Sequence, residues 1–230
     1  MSLLQNNSFQ AGLKDSISFG LAFIFLYIPI GALGASQNLS LMEVMTTSLL
    51  IFSTPLQFIL VQSYEAGLTL LPMILALNSR FILMSSALSL YLKQTSIKKI
   101  MASSILIVPS VFSASISRFK NQQEDYFAYF LGVGIPIYLA SILSTLIGYY
   151  LGASIASPLF YEVIKIVLPL QFTALAAKHW PDYFDVSAYW IGLILAPVFL
   201  LLLKEYTMLI APFAIGISIA LFDKLGRKNG

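Results

Sequence analysis

A guanidinium deep inside an apolar run is the feature of this sequence with the clearest chemistry. Asn78-Ser79-Arg80 interrupts a hydrophobic stretch from about Leu68 to Leu92. An arginine near the middle of a membrane span costs roughly 2.5 to 3.5 kcal/mol on insertion scales unless it is paired or hydrated, so it marks a function by default. Its planar fork of donors matches a carboxylate bidentately, which fits an amino-acid substrate, and Asn78 adds a donor and an acceptor at the same depth. The competing structural reading is an arginine that pairs with backbone carbonyls freed at a proline break, or that snorkels to an interface.

A second chemical signal is a string that occurs twice. Pro55-Leu56-Gln57-Phe58 returns as Pro169-Leu170-Gln171-Phe172, each time within an apolar run. Proline removes a backbone donor and crowds the preceding turn, so in lipid it frees polar groups that only protein or a water-filled cavity can satisfy. Broken helices at matching positions of two halves point to a transporter's substrate site. The half-helix N-termini would offer N–H groups and positive dipole ends to an anion. Gln57 and Gln171 would lie beside the breaks, with Phe58 and Phe172 to receive an apolar side chain. Either glutamine alone is equally well explained by an interhelical hydrogen bond.

The elements that must position these residues are membrane helices. Of the 230 residues, 58% are apolar and only 10% charged, against roughly 25% charged in soluble domains; mean hydropathy is +0.86. At roughly 20 residues per span the chain has room for seven or eight hydrophobic segments and no soluble catalytic domain. Met1 to Asp15 reads as a disordered or interfacial lead-in. The spans expected next are Ser16 to Ser36, Leu41 to Tyr64 interrupted at Pro55, Leu68 to Leu92, and a weaker one to Ser117 broken at Pro109. In the second half come Tyr126 to Ser154, Phe160 to Ala177 with Pro169, Val186 to Leu203 broken at Pro197, and Tyr206 to Phe222 broken at Pro212. Prolines pair in order between the halves, Pro29 with Pro136 and Pro55 with Pro169, and Leu33-Gly34-Ala35-Ser36 is echoed by Leu151-Gly152-Ala153-Ser154. The expected fold is therefore all-α: one polytopic transmembrane domain, 1–230, with several segments broken at proline and two structural repeats, 12–117 and 125–222.

Orientation conflicts with the simplest topology. If every segment crosses and the amino terminus is cytoplasmic, Lys93, Lys98 and Lys99 face outward, against the positive-inside rule. A re-entrant hairpin at Pro55 would move them inside, and the same parity decides whether the repeats are parallel or inverted.

Enzyme chemistry finds no support. There is no phosphate-binding G-x-x-x-x-G-K-[ST] loop, H-E-x-x-H helix or G-x-S-x-G elbow. The chain has no cysteine and a single histidine, His179, in a polar turn beside Trp180. Neither cofactor nor metal is expected, and the net charge of +3 suits lipid headgroups better than nucleic acid. No Asp or Glu lies clearly mid-span, so no proton relay is visible.

The early Gly-Pro span, the broken second span ending in Gln57-Phe58, and Asn78-x-Arg80 followed by Leu83-Met84-Ser85 resemble the AzlC family, the large subunit of branched-chain amino-acid exporters. The resemblance runs from about Gly12 to Ala177. It implies export of small apolar amino acids across the cytoplasmic membrane, together with a small multi-span partner subunit of the AzlD type. This chain departs from the family in Ser53-Thr54-Pro55-Leu56 before Gln-Phe, in Phe81 where a histidine is common, and in Val108-Pro109-Ser110 where an acidic pair is usual. The competing readings are a non-catalytic permease or scaffold subunit serving a separate partner, and a small-solute channel.

Overall fold

The computed structural model describes residues 6–64, 70–121, 125–155 and 183–203, with residues 162, 163, 166, 170, 173, 207, 210, 211 and 214–218. Every regular element among them is helical. The chain divides into two compact units, Met1–Leu70 with Leu77–Leu168, and Leu71–Ala76 with Pro169–Gly230.

The first unit is built on two long helices, α1 (Asn7–Ser36) and α7 (Tyr126–Ser154), both long and apolar enough to cross a membrane. Their first turns are tied together. The Asn6 amide caps α1 at Ser8 and donates to the Asp125 carboxylate at 3.0 Å, and Asp125 caps α7 at Ala128. Gly12 lies against Gly132 near this end, while Ile28 meets Gly148, Gly31 meets Thr145 and Tyr149, and Ala32 meets Gly152 near the other. The helices therefore run parallel and touch backbone to backbone, as small residues allow in lipid. The lead-in expectation is corrected by the same contacts: the chain is helical from Asn7, because Phe9 and Gly12 are already packed on α7.

The faces turned away from this contact carry the large apolar side chains. Ile17, Leu21 and Phe25 on α1, and Ile135, Leu139, Leu143, Ile147 and Leu151 on α7, are exposed at helical spacing, whereas Ser141, Ser144, Thr145 and Gly148 are buried. Small residues thus line the α1–α7 contact and large apolar ones cover the outer faces, as lipid allows, while Phe23, Tyr27, Ile30, Leu33, Tyr129, Phe130, Val133 and Ile137 of the same helices are buried in the core. Two residues past the end of α1, Asn38 has a φ of 57°, in the left-handed region that lets the chain turn sharply.

Shorter helices fill the interval: α2 (Leu41–Leu50), α3 (Thr54–Gln62), α4 (Leu71–Ser89), α5 (Ile97–Ser103), a single 3-10 turn (Ser104–Leu106) and α6 (Pro109–Asn121). The expected breaks at Pro55 and Pro109 are present but precede the prolines, each of which opens the following helix. That position needs no N–H and suits the fixed proline φ. In the second unit, α8 (Tyr183–Leu203) passes through Pro197 without a break, which corrects the expected interruption there. Pro29 and Pro136 likewise lie inside continuous helices.

Candidate functional site

The site is organised by the break between α2 and α3. Serine 40 starts α2 with a capping box, its hydroxyl and backbone N–H both bonded to Glu43. Ten residues later the helix stops, leaving carbonyls at its end and N–H groups at the start of α3 without intrahelical partners. The Tyr138 hydroxyl of α7 takes one of these, donating to the Leu49 carbonyl at 2.7 Å. Phe52 fills the turn against Phe23, Tyr27 and Tyr138, with ring centres 5.1 to 6.0 Å apart.

Arg80 reaches this turn from α4. Its Nη2 donates to the Ser53 hydroxyl at 3.3 Å, and its guanidinium carbon lies 5.1 Å from the Phe81 ring centre. Ser53 is the N-cap of α3 yet makes no side-chain cap bond. The Arg80 Nε is buried without a hydrogen-bond partner, and among the described residues no carboxylate is paired with this arginine. A second orphan donor stands close by: the Tyr27 hydroxyl is fully buried, has no hydrogen-bond partner and lies beside the Thr54 side chain. Donors from α1 and α4 thus converge on the first turn of α3. Such a grouping of donors is suited to an anion.

The residues expected from the sequence take different places. Arg80 stands at the α3 start, and Asn78 is half-buried two residues before it on α4. Gln57 has 0% exposure and is turned to α2: its Nε2 donates to the Thr47 carbonyl at 3.2 Å and its Oε1 accepts from the Ser48 hydroxyl at 3.3 Å. Ser48 shares a further 2.9 Å hydrogen bond with Thr145, so Gln57 ties α3 through α2 to α7. Phe58 is buried in the core. Pro55 occupies the first turn of α3. Pro169, Gln171 and Phe172 lie outside the described residues. Sequence reasoning missed Tyr27, Ser48, Ser53 and Thr145; only their hydroxyls set in apolar runs could have signalled them.

A family model described as AzlC protein matches residues 18–155. The chain belongs to the AzlC family. The AzlC match takes in Tyr27, the helix break, Gln57, Asn78 and Arg80, so every described part of the site falls within it; Gln171 and Phe172 fall beyond it. An uncharacterized membrane protein of Archaeoglobus fulgidus is 27% identical over 185 residues, covering 77% of this chain and 81% of that protein. No solved structure matches. This AzlC-family chain is a membrane protein, in keeping with its two long apolar helices.

The Gln57 bridge has a measurable consequence. In Gln57→Leu the Thr47 carbonyl keeps the Ile51 N–H and Ser48 keeps Thr145, so no buried polar group is orphaned. The expected loss is about 1 to 2 kcal/mol, read in detergent as a fall in Tm of about 2 to 8 °C.

Proposed function

We propose that this protein is a multi-pass secondary transporter that exports branched-chain or other small apolar amino acids across the cytoplasmic membrane. The observation that carries the reading is Arg80 at the α3 N-terminus, with its Nε and the Tyr27 hydroxyl buried and unpartnered. A substrate carboxylate would take the guanidinium fork together with the Thr54 and Leu56 N–H groups of the first turn, which have no intrahelical acceptor. Asn78 would add polar contacts, and Phe58 would take the apolar side chain. In this proposal Gln57 holds the broken helix in place. The two repeats, with seven to eight hydrophobic segments between them, rock against each other, and a small multi-span subunit of the AzlD type completes the transporter.

The test is transport in proteoliposomes loaded with leucine, valine or isoleucine, with and without the partner subunit. Saturable efflux that is accelerated by substrate on the opposite side is the expected result. Flux that rises linearly with concentration and shows no counterflow would assign a channel. Activity only with an added ATP-hydrolysing protein would assign a permease subunit. Tyr27→Phe, which removes one orphan hydroxyl and leaves the ring packing, is expected to raise the substrate KM by about three- to tenfold, the size of one hydrogen bond, with little change in Tm.

A further inference from the structure

The contacts of α2 and α3 with their neighbours give both helices a direction. At the start of α2 the Leu39 carbonyl accepts from Tyr149, near the end of α7; at its finish the Leu49 carbonyl accepts from Tyr138, near the middle of α7. Helix α2 thus runs inward, against the direction of α7, and its last residues reach mid-depth. Phe52 repeats that depth on α1, between Phe23 and Tyr27. Helix α3 then returns. Gln57 pairs with Thr47 and Ser48, and the Tyr64 hydroxyl, just past the end of α3, donates to Glu43 in the first turn of α2 at 2.8 Å. At 1.5 Å per residue, helices of ten and nine residues are each about 15 Å long, half of a bilayer core of about 30 Å.

The segment between α4 and α7 behaves the same way from the other end. Tyr91, just past α4, packs on Phe119 near the end of α6 and on Tyr126 at the start of α7, with ring centres 5.4 and 5.8 Å apart. Between those points Leu106 lies against the α7 backbone at Gly134, about two turns in from the start of α7. Parity requires the two cases to go together. Because α1 and α7 are parallel, an odd number of crossings must separate them, so if α2–α3 turns back, α5–α6 must turn back as well.

We infer that α2–α3 and α5–α6 are two half-membrane hairpins that enter from opposite faces, α2–α3 from the non-cytoplasmic face and α5–α6 from the cytoplasmic face. Within residues 7–155 only α1, α4 and α7 cross. Charge independently selects the faces. This topology gathers Lys14, Lys93, Lys98, Lys99, Arg118 and Lys120 on one side, where Arg118 stacks over Tyr129 and Tyr129 bonds to Asp15. Between Lys14 and Arg80, and between Lys120 and Lys165, the sequence has no Lys or Arg, so the opposite ends of the helices carry none. The positive-inside rule makes the basic side cytoplasmic. The conflict over Lys93, Lys98 and Lys99 disappears. On the transport reading proposed above, α2–α3 is then the element between the outer face and Arg80; the topology itself does not depend on that reading.

The absence of native cysteine allows a direct test with single-cysteine variants and a membrane-impermeant maleimide. Gln37→Cys and Gln62→Cys, at exposed positions on either side of α2–α3, are expected to label in intact cells. Gln94→Cys and Asn121→Cys, exposed on either side of α5–α6, are expected to label only after permeabilisation. Ser63→Cys and Lys93→Cys replace any variant that does not reach the membrane. Labelling of positions 37 and 62 from opposite faces, or of 94 and 121 from opposite faces, would overturn the hairpins. The mirror pattern would overturn the assignment of faces. The readout needs no substrate, so a negative transport assay leaves it standing.

Discussion

Arg80→Ala is expected to lower branched-chain amino-acid efflux by about 30-fold to several thousandfold, while the protein still reaches the membrane. The range follows from what the side chain would do. Truncating one member of a buried, hydrogen-bonded charge pair costs about 2 to 5 kcal/mol, at about 1.4 kcal/mol per factor of ten. Little of that should appear as lost stability, because among the described residues the polar contacts of Arg80 are a 3.3 Å bond to Ser53 and the face of Phe81, with Nε unused. Removing an inadequately paired cation from lipid depth is itself favourable. Arg80→Lys keeps the charge and loses the fork, so it should fall between, with the defect mainly in KM. The decisive measurement is saturable efflux in proteoliposomes beside Tm in the same detergent. Full efflux in Arg80→Ala would remove the guanidinium from the mechanism. Equal losses of Tm and efflux would make it a structural arginine tying α4 to the α2–α3 turn.

How much of this was legible in the sequence depends on the range of the interaction that fixes each feature. The breaks near Pro55 and Pro109 were readable because proline acts on its own turn. Pro197 was misread because a helix can keep its course past one proline when only a single ladder bond is missing. The parallel pairing of α1 and α7 was left open by the sequence; Leu33-Gly34-Ala35-Ser36 and its echo at Leu151-Gly152-Ala153-Ser154 suggested a repeat, and the structure shows Ala32 and Gly152 meeting at the same end of the pair. The return of α3 onto α2 was raised by the conflict over Lys93, Lys98 and Lys99 but not decided by it. Leu41 to Tyr64 is long enough to span, and hydropathy sums carry no direction; only Tyr64 meeting Glu43 shows the reversal. The partners of the glutamine were hidden for the same reason. Nothing near Gln57 in sequence says that Thr145, on a helix formed 88 positions later, closes its hydrogen-bond chain through Ser48. Arg80 was conspicuous by its cost in lipid, whereas Tyr27 resembles any interfacial tyrosine until its hydroxyl is found buried and unpartnered.

Gly31→Leu and Gly148→Leu are expected to abolish recovery of folded protein, and Gly20→Leu, on the same helix as Gly31, is expected to leave it unchanged. The three differ only in what a side chain would meet. A Cβ at Gly31 would run into the Thr145 carbonyl and the Tyr149 backbone, and one at Gly148 into the Ile28 carbonyl, whereas at Gly20 nothing lies within 4 Å. The obstacles at Gly31 and Gly148 are backbone, so no rotamer change relieves them and the helices must part. Ordinary overpacking costs about 1 to 3 kcal/mol, but separating α1 from α7 also forfeits contacts from Gly12 to Gly152, the main source of association where lipid is as apolar as leucine. Against a total stability of about 5 to 15 kcal/mol, such a loss leaves no folded population. Gly20→Leu exchanges a flexible residue for a good helix former on an open face and should move Tm by no more than about 2 °C. Size-exclusion yield and Tm in one detergent make the comparison. Normal recovery of Gly31→Leu and Gly148→Leu would mean that α1 and α7 do not meet along their glycines. The parallel pairing would then fail, and the parity that makes each hairpin require the other would fail with it.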